Sequence, residues 1–344
     1  MPKRCIAHGV GTKMYQIHKK VSLSRLPLRS VGIGFASSAL DATVPQVVVN
    51  DGHQKELGQF IPAVYHFNML ADDLRMRGFK EAIAVTVRPG HRVLELGGGT
   101  GVLSFFAAMA GAEVTCVEKN PELVRRARAF LHSNAMGDKV AVVQADAFDY
   151  LPHHPVDVVI CEMIHVGMLR EKQLLVIDSF KRRYLRAFGP PLPQFIPEGF
   201  FQAVQPVQQC YDFHGYWAPV VLFQDPVVEQ PRTVVLGQPT VYHSGTYCQD
   251  YSLDCSWNGP LEFSAAGVFN AIRLITKNVL TVIEAERRTV DWTSQYLVVP
   301  VDLPLAREQG DISELSFSYQ AGDLIETLLP KVAEPQPWPL RKEA

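Results

Sequence analysis

The segment Val93-Leu94-Glu95-Leu96-Gly97-Gly98-Gly99-Thr100-Gly101 closes a short apolar run and leads into a helical pattern through Leu103, Phe106 and Ala110. Glycines at a strand-to-helix turn let the backbone reverse sharply and approach a ligand with no Cβ in the way. The spacing is not GxGxxG, because Val102 stands at the sixth place. Three carboxylates accompany the loop. Glu95 lies within the strand itself, and Glu118 stands at the carboxyl end of the next strand-like run. Asp146 follows the third such run. An acid after the second strand can accept from both hydroxyls of a ribose, and one after the third is placed to meet an adenine edge. The chemistry expected is therefore the binding of an adenosine-containing cofactor. A dinucleotide-binding domain and an unliganded glycine-rich turn share part of this pattern.

The same string closely resembles the first motif of class I methyltransferases, and residues 65–300 taken together resemble the protein arginine methyltransferase family. Four segments carry the likeness. The run Cys161-Glu162-Met163-Ile164-His165-Val166-Gly167-Met168-Leu169-Arg170-Glu171 resembles the family's paired-glutamate loop, with the glutamates nine apart. Tyr65-His66-Phe67-Asn68-Met69-Leu70 resembles the helix that closes over the cofactor. Ile196-Pro197-Glu198 resembles the family's step into its β region, and Val290-Asp291-Trp292 stands in the place of its Thr-His-Trp loop.

The resemblance implies S-adenosyl-L-methionine as cofactor, held by Glu95, Gly97, Gly99, Thr100, Gly101, Glu118, Asp146 and Ala147. Arg75 or Arg77 would take the cofactor carboxylate. It implies Glu162 and Glu171 as catalytic residues, with Trp292, His165 and Tyr65 on the substrate. A guanidinium is protonated far above neutral pH, so its nitrogens are poor nucleophiles. Two carboxylates can bind the planar fork and draw charge onto the nitrogens that do not react. One can also accept the departing proton. Their protonation would be coupled, with one pKa raised.

Departures from the family pattern bear on the acceptor. Ile164-His165-Val166 replaces Met-Gly-Tyr between the glutamates, and Asp291 replaces the loop histidine, adding negative charge. The expected activity is methyl transfer to a guanidino nitrogen of arginine, protein-bound or free. N- or O-methylation of another small metabolite is the alternative within enzymes, and a cofactor-binding scaffold without turnover is the alternative outside them. The family also implies a homodimer, for which Tyr211-Asp212-Phe213-His214-Gly215-Tyr216-Trp217 offers an aromatic arm.

Elements must hold these groups in place. From Gln59 apolar residues recur at helical spacing through Phe60, Val64, Phe67, Leu70, Leu74 and Phe79 up to the turn Pro89-Gly90. Strands at Arg92–Leu96, Glu113–Val117, Val140–Gln144 and Val156–Cys161 then alternate with helices, the last helix over Leu169–Leu185. That alternation predicts a Rossmann-like α/β domain over residues 59–195. After Phe195 the texture changes to short β-branched and aromatic runs at Thr233–Leu236, Thr240–Tyr242, Val268–Ile275, Val279–Ile283, Gln295–Val301 and Leu315–Tyr319. These predict an antiparallel β-barrel-like domain over 196–330, with the acceptor in a cleft between the two. Residues 1–58 read as an N-terminal extension and 331–344 as an irregular tail.

Composition sets outer bounds. At 344 residues the chain has room for two cores, and a net charge of −2 gives no overall pull toward nucleic acid or membrane. Six scattered cysteines without a CxxC pair read as reduced core residues of a cytoplasmic-type protein, not as a metal site. Residues 1–40 hold seven of the 33 Lys and Arg and none of the 35 acids, a balance that also fits a transit peptide.

Overall fold

Five parallel strands form the first sheet of the computed structural model, which describes residues 62–328 and 330–333. They are β1 (Arg92–Leu96), β2 (Glu113–Glu118), β3 (Val140–Gln144), β4 (Val158–Cys161) and β5 (Gln194–Ile196), in the order β3-β2-β1-β4-β5. Their near-continuous Val and Ile content fits strands covered on both faces. Five helices accompany them: α1 (Ala63–Met69), α2 (Asp73–Thr86), α3 (Val102–Met109), α4 (Pro121–Ser133) and α5 (Gln173–Phe188). Strand order reverses where β1 lies between β2 and β4. In open α/β sheets that switch point is where a crevice opens beyond the carboxyl ends of the strands.

Local sequence explains the helix starts. Asn120 caps α4 by accepting from the Glu122 amide at 2.9 Å, with Pro121 at the first helical position. Asp72 caps α2 by accepting from the Arg75 amide at 2.9 Å. That cap divides the single helix expected from Gln59 onward into α1 and α2. The expected positions Gln59 and Phe60 lie outside the described residues, as does the whole 1–58 extension.

The antiparallel part is built around one 17-residue strand, Gly267–Ile283, where two shorter ones were expected. It pairs with Gly199–Gln209, Tyr296–Arg307 and Arg288–Thr293, and so sits inside a seven-stranded sheet. The patterning hides its continuity because the polar run Thr276-Lys277-Asn278 separates its two apolar stretches, although Thr276 and Asn278 are fully buried. A smaller sheet joins Asp254–Glu262, Ile312–Gln320 and Lys331–Ala333. The tail therefore opens with a strand, and residues 334–344 lie outside the described ones.

The expected separation into two cores is not what the structure has. One cluster of buried side chains runs from Phe79 and Leu94 through Ile160 and Phe180 to Leu274, Leu297 and Phe317. The described residues fall in a single contact unit. A small satellite core (Val207, Tyr211, Ala271 and Val298) lies beneath the aromatic arm. The arm itself is a hairpin, Asp212–Phe213 against Tyr216–Trp217, with Tyr216 and Trp217 exposed. Among the described residues no helix is long and apolar enough to cross a membrane.

Candidate functional site

Gly97 after β1 and Glu162 after β4 are neighbours, because Leu96 and Cys161 pair across the two strands. A cleft with about 1160 Å³ of space, part of it open to solvent, lies at this point. Gly97, Gly98, Gly99 and Thr100 form its floor, and His66, Met69 and Arg75 face them from α1 and α2. Glu118, Asp146, Ala147 and Phe148 line it beyond β2 and β3, and Glu162, Met163 and Glu171 line it beyond β4. No lining residue comes from beyond Val176. The residues that line this cleft thus all belong to the parallel-sheet part.

The floor is shaped by backbone. Gly97 and Gly98 both donate to the Val117 carbonyl at 2.9 Å. Gly97 has φ +76° and Gly99 +53°, a region that side chains rarely adopt. A Cβ on Gly97 would meet Met163 Cγ at 2.9 Å, and one on Gly99 would meet His66 Nδ1 at 3.1 Å. On Gly98 a Cβ would collide with the buried Cys116 Sγ. The loop stays bare because its surroundings leave side chains no room.

Glu118 spans the turn, accepting from the Gly99 amide at 2.9 Å and the Asn120 amide at 2.7 Å. Asp146 accepts from the Phe148 amide at 2.9 Å and faces Lys119 Nζ at 3.1 Å. Glu95 is elsewhere. It is 2% exposed and binds the amide and hydroxyl of Ser104 at the start of α3, so it does not reach the cleft. Burial pushes its carboxyl up to about 7 in spite of those bonds. This corrects its expected role: Glu95 is a buried anchor for α3. Gly101 likewise turns away, its α-carbon facing Ala127 and Leu131 of α4.

Beyond β4, Arg75 Nη2 pairs with Glu162 Oε2. Both side chains are nearly buried, at 10% and 7% exposure, so each charge depends on the other. The Arg75 guanidinium lies 5.5 Å over the Trp292 ring, and Phe79, one turn further along α2, packs on the same ring at 6.1 Å. Trp292 is therefore taken up by the protein's own arginine and lines no part of the cleft. Burial lowers the Arg75 pKa, with Glu171 and Asp72 opposing. Its Nε atom is buried without a hydrogen-bond partner. Arg77 pairs instead with Asp73 on the exposed side of α2.

Glu171 lies in the turn ahead of α5, not within the helix expected from Leu169. Burial pushes its carboxyl up to about 7, and Arg75 and Arg170 hold it from rising further. Gly167, Met168 and Arg170, between the glutamates, have φ of +70°, +53° and +60°. Left-handed backbone costs a non-glycine residue about 1–3 kcal/mol, and only surrounding contacts maintain it.

Of the two other expected substrate residues, His165 is displaced from the cleft and Tyr65 stays beside it. His165 turns its ring edge toward Phe223, 5.6 Å away, and its Nδ1 lies 3.0 Å from the Val166 carbonyl. Burial lowers its pKa to about 4. Tyr65 is 45% exposed beside the cleft, its hydroxyl pKa raised by burial and by Glu171. Asp291 does not bring unbalanced charge, since Lys277 Nζ pairs with it at 2.7 Å.

Sequence reasoning overlooked two supporting groups. Lys119 marks the acidic end, and its only sequence signal is its place beside Glu118 and the Asn120-Pro121 cap. Gln173, fully buried, accepts from the Met163 amide at 2.9 Å and donates to the Cys161 carbonyl at 2.7 Å, so it grips the backbone on both sides of Glu162. Nothing in the local pattern distinguishes it from an exposed first-turn residue.

Known proteins share the fold of this chain. Residues 93–184 match the methyltransferase-domain family. An uncharacterised protein of the archaeon Methanothermobacter thermautotrophicus is 30% identical over 261 residues, which span 75% of this chain and 93% of that one. An arginine N(omega)-methyltransferase of Streptomyces achromogenes is 31% identical over 134 residues, covering 38% of this chain and 37% of that enzyme. Among solved structures, the Trypanosoma brucei PRMT1 enzyme–prozyme heterotetrameric complex with AdoHcy superposes with a TM-score of 0.61 at 19% identity. That match covers 74% of this chain and 86% of that one.

Proposed function

We propose that this chain, a divergent member of the protein arginine N-methyltransferase family within the class I S-adenosylmethionine-dependent methyltransferases, transfers the methyl group of S-adenosylmethionine to a guanidino nitrogen of arginine, protein-bound or free. The observation that carries the acceptor is the pair Glu162 and Glu171 on one wall of the cleft, with a guanidinium already seated on Glu162.

The residues present fit the cofactor. Gly97 and Gly99 form a cradle that a Cβ would fill, and the buried Arg75 Nε has a hydrogen still to donate. The floor from Gly97 to Thr100 would take the methionine portion, Arg75 its carboxylate, Glu118 the ribose, and Asp146 with Ala147 the adenine. When bound, S-adenosylmethionine supplies an electrophilic methyl on a sulfonium sulfur.

The chain's own groups then have distinct tasks. Arg75 occupies Oε2 of Glu162, leaving Oε1 for a second cation. A planar guanidinium bound there and at Glu171 would have its charge drawn toward the carboxylates, so the free nitrogen recovers its lone pair. An arriving cation also favours the ionised form of Glu171. Once the carbon–nitrogen bond has formed, the methylated nitrogen must lose a proton. A carboxylate poised near neutrality can accept it and release it to water. Holding acceptor nitrogen, methyl carbon and sulfur in line supplies much of the remaining acceleration.

Radiolabelled methyl transfer to free arginine, an arginine-containing peptide and cell extract tests this reading. Wild type should label an arginine acceptor, and Glu171→Gln should lower turnover by about two orders of magnitude or more, about 3 kcal/mol of barrier. Undiminished activity of Glu171→Gln, with cofactor affinity intact, would remove the guanidino reading. A homodimer is proposed on the exposed Tyr216 and Trp217 of the hairpin, aromatics being enriched at interface cores. A monomer mass by light scattering at micromolar concentration would count against it.

A further inference from the structure

The apex of the acid loop, midway between Glu162 and Glu171, is held by two side chains of the antiparallel part. The Gly167 amide donates to Thr276 Oγ1 at 2.7 Å, and the Tyr319 hydroxyl donates to the Gly167 carbonyl at 2.7 Å. Both polar groups of one peptide residue are thus satisfied from across the molecule. Thr276 is fully buried and Tyr319 is 4% exposed. Tyr319 is itself fixed, its oxygen 2.6 Å from the Tyr242 hydroxyl and 3.1 Å from Gln202 Oε1. Two backbone bonds continue the seam: the Arg170 amide donates to the Asp323 carbonyl at 2.6 Å, and the Gly322 amide to the Met168 carbonyl at 2.8 Å. These are the residues whose backbone is left-handed, so the seam holds a conformation the loop would not keep alone. A Cβ on Gly167 would lie 3.2 Å from the Tyr319 oxygen, so the apex fits its clamp closely.

We propose that Thr276 and Tyr319 are positioning residues for the acceptor side of the site: through Gly167 they set the separation and orientation of Glu162 and Glu171. This rests on the reading that the two glutamates hold the acceptor. Neither side chain touches the cleft, and neither supports the glycine floor. Loosening the clamp should therefore leave the cofactor bound and impair only the step that needs both carboxylates aligned. Thr276→Val keeps the shape and loses the acceptor for the Gly167 amide. Thr276→Ser keeps the hydroxyl, and Tyr319→Phe removes the other bond.

Three measurements on the full chain are combined: calorimetric titration with S-adenosylmethionine, hydrogen exchange followed by mass spectrometry, and methyl transfer to free arginine and an arginine-containing peptide. Thr276→Val and Tyr319→Phe are each expected to bind the cofactor within about threefold of wild type and to exchange faster in the segment 162–171. Each should lose about tenfold or more in kcat with little change in KM for the cofactor. Thr276→Ser should restore all three. Unchanged exchange in 162–171 in both Thr276→Val and Tyr319→Phe would overturn the clamp, as would faster exchange with wild-type kcat. If Glu171→Gln is also fully active, the fault lies with the acceptor reading. If Glu171→Gln is inactive while the clamp variants are not, the fault lies with this proposal alone.

Discussion

The glycine floor and the acid loop face one another across a single cleft, yet they are held by different parts of the chain. The floor takes its support from its own sheet: Gly97 and Gly98 bond Val117 of β2, and Gly99 bonds Glu118 at that strand's end. Most of what shapes it lies nearby in the chain or on the adjoining helices, with Met163 of the acid loop against Gly97 as the exception. The acid loop begins at β4 but is secured by Thr276, Tyr319 and Asp323, more than a hundred residues away. A binding surface made by short-range folding can thus be paired with a reactive surface set by long-range packing. Changes to the first should appear in cofactor affinity, and changes to the second in turnover.

Glu162→Gln tests that division most severely. Turnover is expected to fall by about two orders of magnitude or more, about 3 kcal/mol of barrier, while cofactor affinity stays within a few-fold. The double variant with Glu171→Gln should be little worse than the worse single one, because the two act on one cation. Single-turnover transfer of labelled methyl, with titration of the cofactor alongside, separates the two quantities. A large loss of cofactor affinity would show that the Arg75–Glu162 pair belongs to the floor as much as to the acid loop.

Glu118→Ala is the converse experiment. Cofactor binding should weaken by about 1.5–3 kcal/mol, the range for a charged hydrogen bond, with little change in kcat at saturation. The contribution includes the Gly99 and Asn120 amides that lose their acceptor. Equal losses in kcat would mean that the two regions are not separable.

The pH dependence sharpens the contrast further. Glu171 is poised at about 7, with Arg75 from α2, Tyr65 from α1 and its neighbour Arg170 facing it. On the proposed guanidino acceptor its ionised form would be the one that binds. In the free enzyme kcat/KM for the acceptor should therefore fall about tenfold per pH unit below about 7, and cofactor affinity should not follow. A flat profile from pH 6 to 8 would deny Glu171 that task.

The smallest effect on turnover and cofactor binding belongs to Glu95, a glutamate with the same raised value of about 7 but no place in the cleft. Its folded pKa exceeds the unfolded one of about 4.5, so the folded state keeps a proton the unfolded chain gives up. Stability from this group is full below about 4.5 and declines until about 7. Glu95→Gln should flatten that decline, about 3 kcal/mol by pH 7, and leave cofactor affinity unaltered. Denaturant titrations at pH 5 and 8 would reveal it, and a loss of cofactor affinity would return Glu95 to the binding surface.

Two raised glutamates with opposite assignments show how far local pattern reaches. By itself the sequence determined the strand-turn-helix unit at Val93–Ala110, the bare loop, the placement of Glu118 and Asp146 after their strands, and the nine-residue spacing of Glu162 and Glu171. Each of these follows from hydrophobic period, from glycine and from caps, and those forces act between near neighbours. It also separated the parallel from the antiparallel texture, although not the one long strand, whose middle is the polar run Thr276-Lys277-Asn278. Only the tertiary structure decided which way each polar side chain points. Glu95 turns to Ser104, Trp292 receives Arg75 and Phe79, His165 turns to Phe223, and Asp291 is neutralised by Lys277. It also decided that one core joins both sheets and that Thr276 and Tyr319 reach Gly167. A buried polar group must find a partner wherever the fold supplies one, and that partner's distance along the chain leaves no trace in the local pattern.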